Sequence, residues 1–154
     1  MQKIFFTSLL LLAGLTGQTM TAVAQKNSTP QINHIALYVF DLDKSTAFYT
    51  KILQLDTIPE PFHDGRHTWL RIGAHSQLHI IQGAAGITQH DKNSHLCFSV
   101  PDLQVFMHHL EENHIAYGNW AQNAHTPTLR PDGVKQIYFT DPDGYWLEVN
   151  DDTF

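Results

Sequence analysis

The sequence predicts an α+β fold of two tandem βαβββ modules that share one curved sheet, with the helices outside it. Three observations point there: an internal repeat at an offset of 61 residues, a second at an offset of 69, and apolar–polar alternation in both copies. In the first repeat, Asn33-His34-Ile35-Ala36-Leu37-Tyr38-Val39-Phe40-Asp41-Leu42 lies over Ser94-His95-Leu96-Cys97-Phe98-Ser99-Val100-Pro101-Asp102-Leu103. His, Val, Asp and Leu coincide. Each copy alternates as a strand does and then reaches an Asp that can cap a helix.

The elements follow in order. Helices are expected over Asp43–Leu53, with Phe48, Ile52 and Leu53 inward, and over Leu103–Asn113, with Leu103, Phe106 and Leu110 inward. In the second repeat, Trp69–Ile72 and Gln77–Ile80 align with Tyr138–Asp141 and Trp146–Val149. Each copy reads strand, turn, strand, and Asp141-Pro142-Asp143-Gly144 has strong turn chemistry. Further strands fit Asp56–Phe62, where Pro59 and Pro61 mark an edge, and the region of Ala116–Trp120. Neither half is long enough to bury both faces of its sheet, so the halves form one domain.

Residues 1–24 are read as a secretory signal peptide: a basic start at Lys3, an apolar run over Ile4–Leu15 and the small-residue site Ala22-Val23-Ala24. The apolar run is shorter than the ~20 residues of a membrane span. Export to the periplasm or medium is the expectation, with residues 25–31 as a linker and no membrane attachment once the signal is removed. The whole chain carries a net charge of −6, and loss of Lys3 takes this to −7. An acidic chain without a Lys/Arg cluster is a poor candidate for binding nucleic acid or an anionic membrane surface, and neither is expected as a partner. The single Cys97 excludes an intrachain disulfide.

Eleven histidines in 154 residues ask for a reason. Strand alternation sends Ile35, Leu37 and Val39 one way and His34, Ala36 and Tyr38 the other. The second copy repeats this with His95, and Leu78/Ile80 against His79 repeats as Leu147/Val149 against Glu148. His34, His79, His95 and Glu148 therefore fall on the face away from the helices, at repeat-related positions that a pseudo-twofold axis brings into one concavity. A carboxylate among Trp146, Leu147 and Val149 costs several kcal/mol unless partnered, and a divalent cation shared with imidazoles removes that cost. Two His and a carboxylate leave open positions for substrate, and a third His leaves about two on an octahedral ion. One divalent ion per site is expected: Ni, Co, Zn, Mn or Fe.

These residues resemble the vicinal-oxygen-chelate superfamily, which contains glyoxalase I, methylmalonyl-CoA epimerase, fosfomycin-resistance thiol transferases, extradiol dioxygenases and bleomycin-binding proteins. Asn33-His34-Ile35-Ala36 looks like its opening strand, Phe48–Leu53 the end of its first helix, and Ser94–Phe98 the opening of its second module. Phe139–Glu148 is similar to the glyoxalase-type closing hairpin. The resemblance covers Ile32–Asp151 and implies one half-closed, eight-stranded sheet in a single domain over 32–152, with modules at about 32–83 and 93–152. It also implies a homodimer and a small-molecule substrate. Metal ligands carry over to His34, His95 and Glu148, with the fourth at His79, where the family usually has Glu or Gln. The implied activity is that of a glyoxalase I-like lyase or isomerase working through an enediolate, with Glu148 or His79 as the base. An Fe(II) extradiol dioxygenase, a fosfomycin-type thiol transferase and a drug-binding module are the alternatives. Export argues against a glutathione substrate.

The other polar candidates read more plainly. His63 and His67 flank Asp64-Gly65-Arg66 in what reads as a solvated loop; His108, His109 and His114 belong to the second helix and its end; His90 and His125 sit in polar loops. Cys97 shares the face of His95 and is read as a small core filler. Arg130 and Lys135, around Pro131-Asp132-Gly133, are the candidates for holding an anionic substrate group.

Overall fold

The computed structural model describes residues 29–153. The proposed signal peptide and most of the linker lie outside the described residues. Ten elements follow one another: β1 (His34–Val39), α1 (Leu42–Lys51), β2 (Thr57–Ile58), β3 (His67–Arg71), β4 (Gln77–Gln82), β5 (His95–Ser99), α2 (Leu103–Glu112), β6 (Thr128–Leu129), β7 (Lys135–Thr140) and β8 (Trp146–Asn150). This is strand–helix–three strands, twice, within one unit spanning Gln31–Phe154.

The modules pair identically. Strand order is β1-β4-β3-β2 in the first and β5-β8-β7-β6 in the second. His34 lies opposite Gln77 and Trp69 opposite His79 in the first sheet; at the same offsets His95 lies opposite Trp146 and Tyr138 opposite Glu148 in the second. The sequence repeat is thus a repeat of register. The ladder differs from expectation in one respect: the eight strands divide into two sheets of four, so the half-closed sheet is not completed by hydrogen bonds within the chain.

Both helices begin where an Asp caps them. Asp41 accepts from Lys44 N, and Asp102 from Gln104 N and Val105 N. Such caps contribute about 1 kcal/mol each. α1 buries Phe48 and Tyr49 against β3 and β4, and α2 buries Leu103, Met107 and Leu110. Leu37, Val39, Leu78, Ile80, Leu147 and Val149 point into this same core, as the alternation requires. The Phe139 ring lies 6.3 Å from Phe48 and 6.1 Å from Phe106, so one core joins both modules.

The Asp141–Gly144 turn fastens the second module to the first. Asp143, buried, accepts from Phe40 N and Ser45 Oγ, each at 2.6 Å, and Asp141 accepts from the Tyr49 hydroxyl at 2.8 Å. Bonds of this charge-assisted kind are worth about 1.5–3 kcal/mol each. Gly144 has a φ of +87°, and a Cβ there would strike the Thr88 carbonyl, so two independent constraints require glycine.

Two expectations need correction. The strand expected near Ala116–Trp120 is instead the two-residue β6; Gly118 makes only isolated bridges, to Ala124 and Tyr138, because the chain turns back at Asn119–Asn123. His67 is not in a solvated loop but opens β3, with its ring tilted over Phe62 at 4.6 Å and Nδ1 at 2.8 Å from Asp64.

Candidate metal centre

Glu148 is buried on β8, and three neighbours donate hydrogen bonds to its carboxylate. Tyr138 Oη donates to Oε2 at 2.6 Å, and Asn150 Nδ2 to Oε1 at 3.0 Å. The Cys97 thiol also donates to Oε1, at 3.3 Å. Burial alone would raise its pKa; these bonds and the nearby His95 outweigh burial and hold the carboxyl below its usual range. Tyr138 is pushed well up by burial and by Glu148, so it stays a donor. Cys97 is exposed on the sheet face, not a core filler, because the outward parity of β5 places it beside Glu148. Desolvation, the bond to Glu148 and that carboxylate's charge push the thiol up to about 12, so it is no nucleophile at neutral pH.

His95 completes this group. Its Nδ1 is 2.8 Å from the Lys92 carbonyl, an acceptor that fixes the proton on Nδ1. In the neutral ring Nε2 then carries the lone pair, and it faces Glu148 Oε2 at 3.3 Å. Two lone pairs directed at each other need a proton or a cation between them.

The first module builds a matching pair. His34 and His79 stack with ring centroids 4.2 Å apart and planes 9° from parallel, and Trp69 stacks on the other face of His79 at 4.0 Å and 3°. His34 Nδ1 is 2.9 Å from Asn33 Oδ1, and His79 Nε2 is 2.9 Å from Gln77 Oε1. Each of the three imidazoles therefore has one nitrogen on an oxygen acceptor, the arrangement that orients metal-binding histidines, while the second nitrogen of His95 faces Glu148. Burial, then the neighbouring His34 and His67, hold His79 below its ordinary value near 6.5 and keep it neutral, as a ligand must be. The donor set fits a divalent ion.

The four side chains do not meet within one chain. Among the described residues no three His, Cys, Asp or Glu side chains gather closely enough to hold an ion. The concavity expected to unite them divides into two half-sites, His34/His79 and His95/Glu148.

The loop cations separate. Arg130 pairs with Asp132 and, at 3.5 Å, with Asp152, and its charge reaches Cys97 and Glu148. Lys135 borders a different hollow, beside α2 with Met107 and Asp151. Sequence reasoning passed over Trp69, Tyr138 and Lys92. Trp69 and Tyr138 are related by the 69-residue offset and sit directly across from His79 and Glu148, a signal the repeat already contained.

The profile of the Glyoxalase/Bleomycin resistance protein/Dioxygenase superfamily matches residues 31–149. The chain belongs to this superfamily. It is 26% identical over 170 residues to a lactoylglutathione lyase from Pseudomonas putida, covering 90% of this chain and 92% of that protein. It is 30% identical over 135 residues to the metallothiol transferase FosB of Staphylococcus epidermidis, covering 79% and 82%. Among solved structures, the oxidase ChaP-H2 shares the fold with a TM-score of 0.66 at 24% identity, over 82% of this chain and 96% of that one.

Proposed function

We propose that the protein is a metal-dependent lyase or isomerase of the glyoxalase I kind, acting on a small substrate that presents two adjacent oxygens. His34, His79, His95 and Glu148 would hold one divalent ion. The observation that carries this reading is the 3.3 Å approach of His95 Nε2 to Glu148 Oε2 with the imidazole proton committed to the Lys92 carbonyl. The similarity to a lactoylglutathione lyase supports the reaction class, and that to a metallothiol transferase supports the metal.

Because the two half-sites stand apart in one chain, each complete site takes one half from each of two copies. The exposed Ala36, Tyr38, Cys97 and Ser99, beside the half-sites on the outward faces of β1 and β5, are the surface such a homodimer would cover. When bound, the ion would supply Lewis acidity toward a hydroxy-carbonyl substrate, easing removal of its carbon-bound proton. Glu148, with three donors on its oxygens and a lowered pKa, is a weak base that anchors. His79 would be the proton acceptor only when substrate frees its Nδ1 from the ion, since its Nε2 stays on Gln77; neutral and shielded between two rings, the freed lone pair is the better placed of the two. With residues 1–24 read as a signal peptide, this chemistry works outside the cytoplasm on a substrate other than a glutathione thioester.

The test is exchange in deuterium oxide. Protein loaded with Ni²⁺ or Co²⁺ should wash out the carbon-bound proton of hemithioacetals made from small 2-oxoaldehydes and a panel of thiols, and metal-free protein should not. Metal-dependent oxygen uptake on catechols without proton exchange would reject the lyase or isomerase reading.

A further inference from the structure

Lys92 lies in the segment between the modules, three residues before His95, and its ammonium is unusually placed. Nζ is 4.3 Å from the Tyr138 ring centroid, 4.9 Å from Trp146 and 5.0 Å from Trp120, so three aromatic faces surround it. It donates to the carbonyls of Asn119 at 3.1 Å and Trp120 at 3.0 Å. An ammonium has three protons, and these bonds use two. Burial lowers its pKa, and it makes no salt bridge among the described residues. It borders a cavity of about 290 Å³ whose walls include Tyr138, Thr140, Trp146 and Asn119.

That cavity adjoins the metal half-site. Tyr138, Thr140 and Trp146 face the same side of the second sheet as Glu148, because Tyr138 pairs across from Glu148 and Thr140 from Trp146. One phenol ring links the two: its face meets the ammonium and its hydroxyl holds the carboxylate. A partly buried cation without a counter-ion is costly, and an anion placed beside it removes that cost through a charge-assisted hydrogen bond. Arg130 is the poorer candidate for the same task, since Asp132 and Asp152 already neutralise it.

We propose that Lys92 is the anion subsite of this centre, and that the substrate carries an oxyanionic group, a carboxylate or phosphonate, in addition to its metal-chelating oxygens. The proposal rests on the metal reading above. The test uses three hydroxamates that chelate alike: acetohydroxamate, succinic monohydroxamate with an added carboxylate, and phosphonoacetohydroxamate with an added phosphonate. Binding to Co²⁺-loaded protein is followed by calorimetry and by the visible spectrum of the ion.

At least one of the two anionic probes should bind about tenfold or more tighter than acetohydroxamate, and the tighter of the two names the group. Lys92→Met should erase that preference while leaving acetohydroxamate affinity within about twofold, and Lys92→Arg should keep it. Equal affinity of all three probes for the wild-type protein, or a preference that survives Lys92→Met, would overturn the subsite while leaving the metal centre standing. If acetohydroxamate itself left the Co²⁺ spectrum unchanged, the metal reading would fall and the subsite with it.

Discussion

Glu148→Ala should leave a folded protein that no longer retains a stoichiometric divalent ion, and His95→Ala should do the same. Both side chains lie on the sheet face away from the shared core, where Leu147, Val149 and Ile137 carry the packing. Their removal therefore costs a ligand more than it costs the fold. The loss in metal affinity should exceed the ~10–100-fold expected when a supporting hydrogen bond alone is removed. Tyr138→Phe offers the comparison, since it deletes the hydroxyl that donates to Glu148 Oε2 at 2.6 Å and accepts from Gln136 Nε2 but removes no ligand, and it should fall within that smaller range. Equilibrium dialysis with elemental analysis reads both, and circular dichroism confirms the fold. Full metal content in His95→Ala would remove the imidazole from the ligand set.

The second large effect belongs to His79. Its replacement by Ala should weaken metal binding by the amount of one lost ligand and nearly abolish proton exchange, because its one free nitrogen serves the two tasks in turn. His79→Glu should recover much of the metal binding, as a carboxylate is common at this position in the family. It should recover less of the exchange, because a carboxylate does not reproduce the ring stacked between Trp69 and His34. Acid should separate the variants further. The folded protein holds His79 below its ordinary value near 6.5, so as pH falls below that value the unfolded chain takes up the proton first. Stability is unaffected by this group above about 6.5 and declines below it until the folded-state value is passed. The slope of unfolding free energy against pH in that interval should be shallower in His79→Ala. Metal affinity equal to wild type in His79→Ala would reduce the residue to a pocket lining.

Much of this architecture was legible in the chain. The coincidence of His34 with His95 and of His79 with Glu148 defined both the modules and the strand faces, because a period of two leaves each side chain only two directions. The caps at Asp41 and Asp102 were readable for the same local reason. Less legible was whatever depends on meetings between distant side chains. Nothing in the chain singled out Lys92, since the three rings around it come from positions 120, 138 and 146. His67 looked solvated because Gly65 suggested a loop, whereas the strand begins only two residues later. The pairing of β6 is two residues long, too short for alternation to reveal. A repeat also states that four positions are equivalent without stating that one chain brings them together, and here it does not.

That last point admits a direct measurement. A chain carrying His34→Ala retains an intact His95/Glu148 half-site, and a chain carrying Glu148→Ala retains an intact His34/His79 half-site. Each alone would form a dimer in which both sites lack a ligand. Co-expressed with different tags and purified through both, the two make a heterodimer in which one site recovers all four ligands and the other loses two. Elemental analysis should then find one divalent ion per heterodimer, against two in the wild-type dimer and essentially none in either parent. A heterodimer as empty as its parents would contradict a centre shared between two chains.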